Sequence, residues 1–227
     1  MERNYTPEIM DDFSIKDERV DKALKELKII NYLLGGNSTS KAGIKEVLKI
    51  IPENCGVKIL DAGSGASDIL LSLKRIINNP KIFSIDVNLR ACSFVRMNSP
   101  TFNIICGDVL EFPFKNESYD IAHASLFLHH FREEKIKDIL QNLINSAKYA
   151  VVINDLRRSI LAYWGIKILT MLFSRSDMVK NDAPLSVKRA FVKRDLLKII
   201  NALNVNRFEI KRKWAFRWLI ILYKNKI

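Results

Sequence analysis

The chain has 227 residues, 48% hydrophobic and 27% charged, with a formal net charge of +12. That length supports one domain, or a domain with a modest insertion, around a full core. The composition excludes a disordered tail and a disulfide scaffold, and the longest apolar stretch, residues 160–173, is broken by Lys167 and too short to span a membrane.

The positive charge is uneven. Residues 156–227 hold 17 Lys and Arg against 4 Asp and Glu, whereas residues 1–155 hold 20 against 21. A solvated lysine-rich exterior is the simplest reading, with an anionic membrane surface or a nucleic acid as the sharper ones. Cys55, Cys92 and Cys106 lack metal or redox spacing and read as small buried apolar groups in a reducing compartment. No apolar stretch follows the opening Met1-Glu-Arg-Asn, so a cytoplasmic location is expected.

Residues 1–16 are polar and irregular, with Pro7 and the acidic pair Asp11-Asp12. Val20, Leu24, Leu27, Ile30 and Leu34 share one face of a helix expected over 17–34 and ended by Gly35-Gly36. Ser38 or Ser40 is expected to cap a second helix running to about Ile51, before Pro52 and Gly56 break the chain. Strands are then expected at 57–61, 81–86, 102–106, 120–124 and 149–154, with helices at 68–78, 88–97 and 134–147. Such alternation argues for a doubly wound parallel sheet with ligands at the strand carboxyl ends. After that come a helix bearing Tyr163, Trp164, Leu169 and Phe173, a loop over 174–184, and a helix from Arg194 to about Leu203. Two final strands, 207–214 and 217–223, pair as a hairpin.

The first strand ends in Asp61-Ala-Gly63-Ser64-Gly65, where glycines permit a sharp turn and close approach to a ligand. The second ends in Asp86, twenty-one residues past Gly65, where an acid can accept both ribose hydroxyls of a nucleoside. The third glycine of a dinucleotide fingerprint is replaced by Asp68, and a carboxylate at a helix start disfavours a pyrophosphate but suits a cationic ligand. Ile104-Ile-Cys-Gly-Asp108 and Ser118-Tyr-Asp-Ile-Ala-His-Ala-Ser125-Leu-Phe-Leu-His-His130 follow in order.

This series resembles the motifs of class I S-adenosylmethionine-dependent methyltransferases, in particular the type 11 group, across residues 55–155. Ser67 departs from the family's third small residue, usually glycine. Segments outside the core, such as Pro7-Glu-Ile-Met-Asp-Asp12 and Asn154-Asp-Leu-Arg157, look like bacterial small-molecule methyltransferases associated with polyketide and phenolic-lipid biosynthesis. The resemblance implies an α/β fold with a doubly wound seven-stranded sheet and its last strand antiparallel. It also implies an N-terminal helical cap over 1–51, a methyltransferase domain over 52–227, and a substrate-covering insertion at 156–191.

The implied cofactor is S-adenosyl-L-methionine. Its cradle would be Asp61 near the cationic amino-acid end, Gly63, Ser64, Gly65, Asp86 and Val87 at the ribose, Asp108 and Val109 at the adenine, and Ser125. Phe112 and Phe114 would give apolar cover to the ring. His129 aligns with the general base of small-molecule O-methyltransferases, with His130 as the other candidate. One of the pair could instead cap a helix and the other pack in the core. His123, inside a strand, reads as structural.

Asn154 and Asp155 end the fifth strand and would hold a substrate hydroxyl, with turn formation as the plain alternative. Tyr163, Trp164, Phe173 and Met178 would form an apolar lid or a packing stripe. The acceptor is expected to be a small phenolic molecule, with C-methylation of a quinone-type ring or a non-catalytic binding scaffold as alternatives. Nucleic-acid methylation lacks its residues: no acid/Asn-Pro-Pro-aromatic motif follows the fourth strand, and no cysteine follows a proline. No metal site is expected. The oligomeric state is not legible.

Overall fold

The computed structural model describes residues 1–52, 56–66, 73, 77, 80–98, 103–111 and 113–224. Its strands are β1 (Lys58–Ala62), β2 (Lys81–Asp86), β3 (Asn103–Cys106), β4 (Tyr119–Ser125), β5 (Ala147–Leu156), β6 (Arg207–Lys213) and β7 (Arg217–Tyr223). They form one sheet in the order β3-β2-β1-β4-β5-β7-β6. Only β7 runs against its neighbours, pairing antiparallel with both β5 and β6. This is the expected seven-stranded class I methyltransferase sheet. The order reverses between β1 and β4, the crevice where such sheets bind ligands.

Helices cover both faces: α1 (Glu18–Leu33), α2 (Gly36–Leu48), α3 (Leu89–Asn98), α4 (Glu133–Ser146), α5 (Ile160–Phe173), α6 (Asp177–Arg189) and α7 (Lys193–Asn201). Successive strand residues alternate between two cores. Leu60, Ala122, Val151 and Ile220 pack with Ile139 and Leu143 of α4 and Leu196 of α7. Ile59, Ile121, Val152 and Ile221 pack on the other side with Ile44 and Val47 of α2. A strand buried on both faces needs a continuous apolar run, which is why these segments are legible in the sequence.

Two expectations about helices are corrected. The second helix starts at Gly36, and no serine caps it: Ser38 lies inside and donates its hydroxyl to the Gly35 carbonyl. Gly35 (φ 76°) makes the tight link from α1, and a Cβ there would lie 2.2 Å from the Trp214 carbonyl oxygen. The stretch 174–184 is mostly helix rather than loop. Ser176 accepts the Val179 N–H as its cap, and Met178, Val179, Ala183 and Val187 are buried, so packing outweighs the hydrogen bond lost at Pro184.

Helix α2, within the stretch 1–51 expected as a cap, is one of the helices that pack on the sheet. Gly43 brings α2 so close that a Cβ would lie 2.6 Å from both Leu219 Cδ1 and Val152 Cγ1. Gly43→Ala is expected to destabilise the protein by about 1–3 kcal/mol, read as a lower denaturation midpoint with unchanged m-value. Of the cysteines, Cys92 is buried but Cys106, at the end of β3, is exposed, contrary to expectation. Cys55, Ser67, Asp68, Phe112 and the helix expected over 68–78, apart from Leu73 and Ile77, lie outside the described residues.

Candidate active site

The carboxyl ends of β1 to β4 open into one cavity of about 660 Å³, a size suited to small ligands. Asp61, Gly63, Ser64 and Gly65 line it after β1, Asp86 and Val87 after β2, Asp108 and Val109 after β3, and Ser125 after β4. The nine cradle residues named from the sequence therefore border the same space, whereas Phe114, expected to cover the ring, packs against Tyr119 instead.

The turn after β1 has little room for side chains. Gly63 has φ 63°, and a Cβ there would meet the Phe127 ring at 2.0 Å, so glycine is required twice over. Asp86 holds this turn to β2, its carboxylate accepting the Gly65 and Asn88 N–H groups, each at 2.8 Å. Burial pushes the Asp86 carboxyl above its usual value despite these bonds.

Asp61 is buried and bonded to His123, whose Nδ1 lies 2.7 Å from Asp61 Oδ1 and whose Nε2 lies 2.9 Å from Ser40 Oγ. His123 is thus a strut under the cradle, as its place inside the strand implies. These groups fit a cationic amino-acid ligand: a glycine turn free of side chains with a buried carboxylate at its base.

His129 and His130 form a short 3₁₀ turn after β4 and also line the cavity. His129 is 3% exposed, and its Nδ1 lies 2.7 Å from Asp155 Oδ1. Burial alone would raise the Asp155 carboxyl, but the charge and hydrogen bond of His129 and the Leu156 N–H bring it below its usual value. An ionised carboxylate only accepts, so Nδ1 donates to Asp155, and Nε2 is the acceptor whenever the ring carries a single proton. That Nε2 is buried without a hydrogen-bond partner among the described residues, 3.7 Å from Glu8 Oε1.

Asn154 and Asp155 are corrected in placement: both are fully buried beneath the cavity and line none of it. Asp155 orients His129. Asn154 donates to the Gly36 carbonyl, Ser40 Oγ and Ser125 Oγ and accepts from Arg217, locking α2 to the sheet. Tyr163 and Trp164 also miss the cavity. They sit on another side of α5 with Lys167 over both rings, while Ala162, Gly165, Ile166 and Leu169 face inward. Phe173 points outward, and of the residues expected in the lid only Met178 reaches the cavity.

An N-terminal cap was expected, but not the residues it brings to the site. Glu8, Met10, Asp11 and Phe13 line the cavity, and the short 3₁₀ turn Ile9–Asp11 is held by Asp182, which accepts the Ile9 and Met10 N–H groups. Buried Arg189 pairs with Asp11 at 2.7 Å and donates to the carbonyls of Thr6, His129 and His130. The run Pro7-Glu-Ile-Met-Asp-Asp12 was the available signal, but nothing in its spacing points to histidines 120 residues away.

His130 Nδ1 lies 2.7 Å from Asp11 Oδ1. Burial lowers the His130 pKa, yet the Asp11 hydrogen bond and the charges of Glu8 and Asp11 outweigh it and raise it above 6.5. Stability from this contact is therefore fully present below pH 6.5 and lost as pH rises through the folded-state value. Asp11 is lowered from 3.8, so its share is lost only in acid, as pH falls through its depressed value. The expected result is a thermal midpoint that declines on the alkaline side in the wild type, with a smaller decline in His130→Gln.

Residues 59–149 match the family model described as a methyltransferase domain. No curated protein sequence matches the chain. Among solved structures it is similar to the plantazolicin methyltransferase BpumL in complex with SAH (TM-score 0.69, 16% identity, covering 94% of this chain and 98% of that one). It is also similar to human N-acetylserotonin methyltransferase in complex with SAM (0.66, 14%, 99% and 63%). Magnesium protoporphyrin IX methyltransferase from Synechocystis PCC 6803 with bound SAM is a third (0.56, 12%, 84% and 80%). The chain spans 57% of the length of a further similar structure, from Nostoc punctiforme PCC 73102. At these identities the likeness carries the fold, that of the class I methyltransferases, and residues 59–149 carry the likeness to a methyltransferase domain.

Proposed function

We propose that the protein methylates a hydroxyl of a small aromatic, phenolic molecule, with His129 as general base. The observation that carries this is the buried Asp155–His129 pair, whose unpartnered Nε2 belongs to a residue lining the cavity. Solved neighbours named for N-acetylserotonin and magnesium protoporphyrin IX support a small-molecule acceptor.

S-adenosylmethionine, when bound, supplies a methyl group already activated by its sulfonium. Asp61, Gly63, Ser64, Gly65, Asp86, Val87, Asp108, Val109 and Ser125 would hold it. The protein's share is then alignment, which contributes up to about 7–11 kcal/mol, and removal of the acceptor proton. A phenol has a pKa near ~10, so at neutral pH it needs a base within hydrogen-bond reach. His129 Nε2 takes that proton, and Asp155 holds the ring and stabilises the resulting imidazolium. Residues 1–34 with α5 and α6 roof the cavity and would exclude water.

Asp86→Ala is expected to weaken S-adenosylmethionine binding by about 1.5–3 kcal/mol, measured by calorimetry, since charge-assisted hydrogen bonds are lost. Unchanged affinity would remove Asp86 from the ribose site. The acceptor chemistry is tested by mass spectrometry after incubation with methyl-labelled cofactor and a cell extract. A labelled aryl methyl ether is expected, and a methyl on a ring carbon would assign the C-methylation alternative. One atom each of Glu8, His129 and His130 lies within 4.8 Å of the others. Activity lost to a chelator and restored by a divalent ion would therefore replace the base with a metal.

A further inference from the structure

Helix α5 carries its apolar residues on the outside. Only Ala162 and Thr170 are buried. Ile160, Leu161, Ile168, Met171, Leu172 and Phe173 are 50–78% exposed. Their spacing repeats with the helical period, so most fall on one stripe.

Helix α1 meets the end of α5, where Glu26 accepts hydrogen bonds from Ser174 Oγ and the Arg175 N–H. Its outer side adds Ile29, Tyr32 and Leu33, and the hairpin tip next to its end adds Trp214, 74% exposed. Leu161 and Trp214 also line the cavity, so the apolar surface borders its mouth. Scattered exposed apolar residues are ordinary, whereas a grouping of this kind on two adjacent helices marks a docking surface.

The charges around the face select the partner. Lys22, Lys25 and Lys28 are exposed on α1, Arg175 follows α5, and Lys167 lies over the Trp164 ring at 5.1 Å. Cationic side chains beside Trp and aliphatic residues are the pattern of a helix lying in a lipid headgroup region. With fourteen residues α5 is about 21 Å long, short of the ~30 Å hydrocarbon core, and no described helix is long and apolar enough to cross a membrane. A two-fold contact with a second copy would set the same lysines against each other.

We propose that α5, the outer side of α1 and Trp214 seat the protein on an anionic bilayer surface, with α5 lying in the interfacial plane. A corollary, which rests on the methyl-transfer reading, is that the acceptor is a lipid-soluble amphiphile entering past Leu161 and Trp214.

The test is co-sedimentation of the full chain with phosphatidylcholine vesicles containing about 30% phosphatidylglycerol, against pure phosphatidylcholine, at low and high salt. Binding is expected to be at least about tenfold tighter to the anionic vesicles and weaker in salt, with a blue shift of tryptophan fluorescence. The double variant Ile168→Ser, Leu172→Ser touches neither cavity nor core. It is expected to lose at least about tenfold in vesicle affinity while keeping its melting temperature and cofactor affinity. Absence of vesicle binding, equal binding to both vesicles, or a double variant that binds like the wild type would overturn the proposal. So would conversion of a dimer to a monomer by the double variant, which would assign the face to a second copy. No acceptor or turnover enters the measurement, so failure of the phenol reading leaves it intact.

Discussion

Replacing His129 by alanine is expected to lower turnover about 10²–10⁴-fold and to leave S-adenosylmethionine affinity nearly unchanged. The imidazole follows β4, whereas the proposed cofactor cradle, Ser125 apart, lies at the ends of β1 to β3. Alanine also leaves the Asp155 carboxylate buried without its histidine, so part of any loss could reflect stability. His129→Gln separates the two effects. Its amide can still donate to Asp155 but cannot act as base, so it should recover stability without recovering turnover.

His130→Ala should be milder, because His130 is tied to Asp11 and fastens the N-terminal segment. A reversed ranking of the two histidines would move the base to His130. If neither matters, the acceptor arrives deprotonated and the enzyme works by alignment alone.

Deleting residues 1–16 is expected to reduce turnover by at least about 10²-fold while the fold survives. The segment supplies Glu8, Met10, Asp11 and Phe13 to the cavity wall, and its loss opens the site to water. Its loss also uncovers Arg189 and His130, so these groups become solvated rather than stranded as buried charges, and the stability cost stays small. The sheet cores contain none of its residues. A drop in melting temperature of only a few degrees should accompany the loss of turnover, since each kcal/mol shifts the midpoint by about 2–4 °C at this size. Full activity in the truncated protein would show that the segment is no lid.

The glycine turn and the acids around it were legible because local sequence dictates them. Gly63 answers to a turn that must pass the Phe127 ring, and Asp86 closes a strand carrying the apolar Ile82, Phe83 and Ile85. Both constraints act within a few residues of the chain. The acceptor side was only half legible. Leu128-His-His130 was visible as a motif, but choosing between its histidines depends on Asp155, which the sequence reading had assigned to the substrate.

Asn154 and Asp155 end a strand whose neighbours on both sides carry side chains over them, and burial of that kind is invisible until β7 and α2 are in place. Tyr163 and Trp164 were misassigned for a related reason. Periodicity marks α5 as a helix of apolar residues but cannot say which of its faces turns inward, and the helix turned its smaller ones to the cavity.

The sequence by itself determined the order and type of the strands, the glycine turn and the acids that end β1, β2 and β3, because period-2 burial and backbone sterics are local. Tertiary structure alone decided that Glu8 and Asp11 meet His129 and His130, that Arg189 joins them, and that Asp155 orients His129. Those contacts join residues more than a hundred positions apart in most cases. Their energy comes from pairing charges in a buried space that exists only after α1, α6 and the sheet have closed around it.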